Sequence, residues 1–140
     1  MKNTVYPFEA LEKVAAAIKG DEDARQWLVI NSYTSLADFF DAVCDNEAAF
    51  RRLAHGSDKE LAAAVDALNQ NDAAKKWLLV NGFRHLAAMC DAVEENKSAI
   101  AWLNNFGHEG WLLIARAINK KNKDDDTRGP FGFLGSLLPR

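Results

Sequence analysis

An internal repeat of about 50 residues is the feature that most limits how this chain can fold. Residues 11–58 align without a gap to residues 61–108, and 14 of the 48 aligned positions are identical. Trp27 and Trp77 occupy the same place in the two copies, and a third, partial copy begins near Trp111. Because repeated sequence builds similar units that cover one another, the chain is predicted to stack copies of one motif.

Each copy has the hydrophobic spacing of short α-helices. Leu11, Val14, Ala15 and Ile18 are three and four residues apart, which places them on one face of a helix. No segment alternates apolar and polar residues for long enough to predict a strand. The sequence therefore predicts an all-α protein with four helices per copy. The second copy repeats this first stripe with Leu61, Ala64, Val65 and Leu68.

Short polar residues mark the predicted helix ends. Asn31 and Gly82 stand where helices are expected to end in a left-handed residue, and Ser35 with Asp38 has the spacing of a capping box. Side-chain oxygens before an apolar helical stripe are typical N-caps. The expected N-caps are Asp21, Asn46, Asn71 and Asn96.

The predicted organisation is one helical-repeat domain followed by an apolar tail. In length and helix content the repeats resemble armadillo and HEAT repeats, although none of the diagnostic residues of those families lines up. The resemblance implies an α-solenoid, and a compact helical bundle is the alternative. The domain is expected over residues 1–123, with copies at 9–58, 59–108 and 109–123, and residues 124–140 are expected to be a linker and tail.

Charge argues against a general nucleic-acid binder. The 17 basic and 20 acidic residues give a net charge of −3, and no basic stripe runs through the chain. A nucleic-acid-associated regulator is kept as an alternative function. It would need one surface that gathers Arg51, Arg52, Lys75, Lys76 and Lys120–Lys123.

Compartment is predicted from what the chain lacks. Glu9, Glu12 and Lys13 interrupt any apolar segment of a signal peptide, and no run of apolar residues is long enough to span a membrane. Cys44 and Cys90 have no motif spacing, which is typical of free thiols in a reducing environment. We therefore expect a cytoplasmic protein.

The sequence carries no recognised catalytic or ligand motif. The three histidines, His55, His85 and His108, have no partner at the spacing of a helical metal site. Asp41 and Asp91 recur in both copies, which favours a structural role over a catalytic one. We expect no metal, no cofactor and no catalysis, and an enzyme that uses Asp41, Asp91 or a histidine is the third candidate.

The two copies differ most at the end of the second one. Trp102, Phe106 and Trp111 lie within ten residues and should be covered by something apolar. The tail either caps this cluster, docks on a second copy or another protein, or is a disordered tail or a contact with a membrane surface. The sequence predicts a non-catalytic interaction module or small adaptor with a protein partner. Its expected binding residues are Trp102, Phe106, Trp111, Phe131, Phe133, Leu134, Leu137 and Leu138.

Overall fold

A computed structural model describes residues 6–126, and in this part of the chain every regular element is an α-helix. The all-α fold class is therefore confirmed. The helices are α1 (Phe8–Ile18), α2 (Glu22–Ile30), α3 (Thr34–Val43), α4 (Glu47–His55), α5 (Lys59–Leu68), α6 (Asp72–Val80), α7 (Arg84–Val93), α8 (Lys97–Asn105) and α9 (Glu109–Asp126).

The helices form an inner ring with an outer layer. The odd-numbered helices contact one another in the cycle α1, α3, α5, α7, α9 and back to α1. Each even-numbered helix packs outside two inner neighbours, as α2 does against α1 and α3. The first and last helices meet, so the array closes on itself as a compact bundle rather than remaining an open solenoid.

Local sequence explains where the outer helices begin. The side chains of Asp21, Asn46, Asn71 and Asn96 accept hydrogen bonds from the backbone at the starts of α2, α4, α6 and α8. These four predicted N-caps are confirmed. The capping box at Ser35 is wrong, because α3 begins at Thr34 with Tyr33 as its N-cap, and the Ser35 hydroxyl donates to Asp58 instead.

The helix bounds repeat over a shorter distance than the sequence indicates. The outer helices begin at residues 22, 47, 72 and 97, a constant step of 25 residues that fits twice into the 50-residue period. Left-handed backbone recurs at the same step, at residues 20, 45, 70 and 95. One position of each inner helix is completely buried at this step, and it is filled by Val14, Phe39, Ala64, Met89 and Ile114.

Ring closure depends on a close approach between α1 and α9. A methyl group added at Gly110 would lie 2.6 Å from Leu11 Cδ1 and 2.8 Å from Leu11 Cβ. The absence of a side chain at Gly110 therefore lets the start of α9 lie directly on α1. At the far end of the ring, Asn119 Nδ2 donates to the carbonyl of Val93 at 2.9 Å, which joins α9 to α7.

The last helix is longer than the sequence predicts. Residues 124–126, expected to open the linker, belong to α9. Lys120 and Lys121 form ion pairs one turn ahead with Asp124 and Asp125, at 3.4 Å and 3.2 Å, and such pairs support a helix end. The remainder of the predicted tail, residues 127–140, lies outside the described part of the chain.

Candidate functional site

One face of the ring collects the exposed apolar side chains. We call it the upper face; it is formed by the first residues of the inner helices and the last residues of the outer ones. Every large hydrophobic side chain that is exposed within residues 6–126 lies there, at the start of α1 or at the ends of α2, α6 and α8. These residues are Phe8, Val29, Ile30, Trp77, Leu79, Val80 and Phe106.

The upper face also contains the starts of five inner helices, and each helix dipole places partial positive charge there. No side chain caps α1, α3, α5 or α7, in contrast to the outer helices. Glu60, at the start of α5, is only 4% exposed. Burial, followed by the charges of Asp58 and Glu60, raises the pKa of the Tyr6 hydroxyl far above its usual value.

A cavity of about 450 Å³ opens on the upper face where α1, α7, α8 and α9 meet, and we call it the seam cavity. Tyr6 and Phe8 line its α1 side, and Trp102 and Trp111 line the opposite side. Its polar groups come from Arg84, His85, His108 and Glu109. This size and mixture of aromatic and polar walls are typical of small-molecule sites.

Two histidines that are distant in sequence meet in the seam cavity. The rings of His85 and His108 are stacked, with centroids 5.3 Å apart and planes 17° from parallel. Burial and the nearby His108 lower the pKa of His85 to about 4, so its imidazole is neutral at pH 7. The sequence search missed this pair because it compared spacings within one helix, whereas these residues start different helices.

Trp102 connects the cavity with the exposed surface. Its ring stacks on His108 at 5.2 Å and on Phe106 at 5.5 Å between centroids. The Arg84 guanidinium lies over the same ring, 4.6 Å from its centroid. The corresponding residue of the first copy is Arg52, so this cluster is specific to the second copy.

The predicted binding residues differ in how much of each side chain is exposed. Trp111 is buried, at 3% exposure, and it packs edge-on against Tyr6 and Phe39 within the ring itself. Trp102 is half-buried, and Phe106 is 64% exposed. Trp111 is therefore already covered by α1 and the ring, whereas Phe106 is exposed in the described part of the chain. Phe131, Phe133, Leu134, Leu137 and Leu138 lie outside the described residues.

The repeated tryptophans lie near the protein surface, where each stacks on an aromatic ring six residues further along the chain. Trp27 stacks on Tyr33 and Trp77 stacks on Phe83, each pair with centroids 5.9 Å apart across the turn that follows the helix. Trp77 is 41% exposed. Each tryptophan therefore fastens an outer helix to the next inner one near the surface, a position the apolar spacing alone did not indicate.

The repeated aspartates each bind a cation from the preceding outer helix. Asp41 accepts two hydrogen bonds from Arg25, at 2.8 Å and 2.6 Å, and the Lys75 ammonium lies 2.8 Å from Asp91. These pairs agree with the structural role expected for both carboxylates. The two do not meet one another in a common site.

Most cations of the nucleic-acid alternative already have carboxylate partners. Arg52 pairs with Asp38 at 2.8 Å, and Lys123 pairs with Glu95 at 2.7 Å. Together with Lys75, Lys120 and Lys121, they neutralise acidic neighbours on several elements. They do not form one surface of unpaired positive charge.

Three further observations bear on the class of protein. Among residues 6–126 no group of three His, Cys, Asp or Glu side chains is placed to hold a metal ion. No helix in this described range has the length and apolar character needed to cross a membrane. A comparison of the chain with protein-family models, curated proteins and solved structures finds no match.

Proposed function

We propose that this protein is a non-catalytic interaction module that binds a protein partner through the upper face of the helical ring. The observation that carries the proposal is the segregation of exposed apolar side chains: all of them in the described residues lie on this face. Exposed apolar residues gathered on one side of a small domain are typical of protein interfaces.

The remaining surface supports the same assignment. The opposite face, where the inner helices end, is polar, with Asn69, Gln70, Glu94 and Glu95 exposed on it. A partner that buried Phe106 and Val80 would remove apolar area from water, whereas the opposite face offers little such area. We place the protein in the cytoplasm, and a second copy of the chain is one admissible partner.

The tail completes the proposal. Residues 131–138 would act as a cap or a docking peptide for the same face, as their apolar spacing suggests. No described feature favours the nucleic-acid or enzyme alternatives over this one.

The test is affinity purification from native lysate with four full-length or shortened proteins. They are the wild type, a Phe106→Ser Val80→Ser variant, the control Glu94→Ser on the opposite face, and a chain ending at Asp126. We expect a partner retained by the wild type and Glu94→Ser and lost by the double variant. Comparison of the shortened chain with the wild type shows whether the tail contributes to partner binding.

Two outcomes would contradict the proposal. If a partner bound all four proteins equally, its binding site would lie elsewhere on the ring. Failure of every protein to retain a partner, together with a monomeric mass by sedimentation for the wild type, would remove the interaction function.

A further inference from the structure

The geometry points to a second binding site on this protein: the seam cavity takes a small planar aromatic molecule that carries a carboxylate. The cavity opens on the same upper face as the partner surface and shares Phe8 with it, but Phe106 and Val80, which the partner test alters, do not line the cavity. It goes beyond the proposed function, and either can be correct without the other.

The cavity is specific to one place in a ring of similar units. Across the 25-residue step, the position of Gly110 is occupied by Ala10, Ser35, Glu60 and His85. Trp102 continues the series of Trp27 and Trp77, which only Arg52 interrupts. The glycine that opens the cavity is therefore not set by the repeat, whereas Trp102 belongs to the repeated pattern.

The walls favour a flat apolar group. Tyr6, Phe8, Trp102 and Trp111 surround a space of about 450 Å³, enough for a molecule of one or two fused rings. The imidazole of His85 faces this space as a neutral group at pH 7, since burial lowers its pKa to about 4. It adds a hydrogen-bonding edge without adding charge.

Arg84 supplies the preference for an anion. The central carbon of its guanidinium lies over the Trp102 ring, 4.6 Å from the centroid. Stacking of this kind occupies the face of a guanidinium and leaves its N–H donors free in the plane, in the fork that matches a carboxylate. Arg25 and Arg52 use that fork on Asp41 and Asp38, whereas Arg84 forms no ion pair with any residue between 6 and 126.

The experiment titrates the full chain with 2-naphthoate and with its uncharged analogue 2-naphthamide. The four tryptophans each give one indole N–H signal in a ¹H–¹⁵N spectrum. Binding in the cavity can therefore be followed through these signals in the wild-type protein. We expect 2-naphthoate to bind with a Kd of about 1 mM or tighter. It should move the signals of Trp102 and Trp111 and leave those of Trp27 and Trp77 unchanged.

Variants test the carboxylate preference. Arg84→Gln, at an exposed position, should weaken 2-naphthoate about threefold to tenfold and leave 2-naphthamide unaffected. Arg116→Gln is the matched control, since Arg116 is an exposed arginine on α9 that does not line the cavity. It should bind both probes as the wild type does.

The proposal is overturned if no indole signal moves at about 10 mM probe, a concentration well above the expected Kd. It is equally overturned if the acid and the amide bind alike, or if Arg84→Gln and Arg116→Gln have the same effect. None of these results bears on capture of a partner protein by Phe106 and Val80, which is measured without the probe.

Discussion

At the scale of single residues, the environment of a side chain depends on which helix faces it. His85 illustrates this, because its sequence neighbours give no hint that His108 stacks on it and that Trp111 lies 5.8 Å away between ring centroids. Trp77 gives the opposite case, an apolar residue in a core-like spacing that is 41% exposed. Residue type was therefore a weaker guide than the packing of neighbouring helices.

The lowered pKa of His85 predicts an acid-sensitive stability. Below its ordinary pKa of 6.5 the unfolded chain binds a proton on this histidine, whereas the folded protein does so only near pH 4. Protons therefore favour the unfolded state across this interval, and stability falls as the pH is lowered from 6.5 to 4. Urea unfolding at pH 7 and pH 5 should show a smaller loss for His85→Gln than for the wild type.

His55→Gln provides the control for that titration. His55 is exposed at the end of α4, so its replacement should leave the difference between pH 7 and pH 5 as it is in the wild type. If His85→Gln and the wild type lose the same stability on acidification, the neutral state assigned to His85 in the fold is wrong.

At the scale of helices, the sequence was a good guide wherever the signal is local. The four outer N-caps follow from a polar side chain and a backbone N–H two or three residues away, so the chain itself carries the information. Ser35 was misassigned because its true partner, Asp58, starts another helix. The 25-residue step is less evident in the sequence than the 50-residue one because its tryptophans, at 27, 77 and 102, are interrupted by Arg52.

The cap of α8 can be tested on its own. The Asn96 side chain accepts from the Ala99 backbone N–H at 2.9 Å, and loss of such a cap costs about 1 kcal/mol. Asn96→Ala should lower the free energy of unfolding by that amount in urea, and Asn96→Asp, which keeps the acceptor, should not. Asn104→Ala, an exposed change within the same helix, should alter stability by less than about 0.5 kcal/mol. If Asn96→Ala and Asn104→Ala lowered the free energy of unfolding equally, the Asn96 side chain would not stabilise α8 as a cap.

At the scale of the whole molecule, the decisive contact joins the two ends of the described chain. Periodicity predicts helices and their buried faces, but it carries no information on whether the last helix returns to the first. Closure arises from how α1 and α9 fit, with Gly110 against Leu11, and the seam cavity forms at the same junction. The fold class was therefore predictable, whereas the ring and its candidate site were not.

The junction predicts a coupling between two positions. Gly110→Ala places a methyl group 2.6 Å from Leu11 Cδ1 and should cost about 1–2 kcal/mol despite the better helix propensity of alanine. In a Leu11→Ala background the contact with Cδ1 is gone and only the one with Cβ, at 2.8 Å, remains, so the same substitution should cost less than it does in the wild type. Urea unfolding of the four proteins gives the coupling energy. Additive effects would mean that α9 does not lie on α1 as described.

The contact between α1 and α9 also limits how many helical pairs the ring can hold. A stack with free ends gains or loses a helical pair without disturbing the others, and its length is open to growth. A ring has a fixed circumference, so one more pair of helices would separate Gly110 from Leu11 and open the interior to water. Five inner helices in the described chain are therefore a geometric limit, and variation in a protein of this design is confined to its turns, its outer helices and its tail.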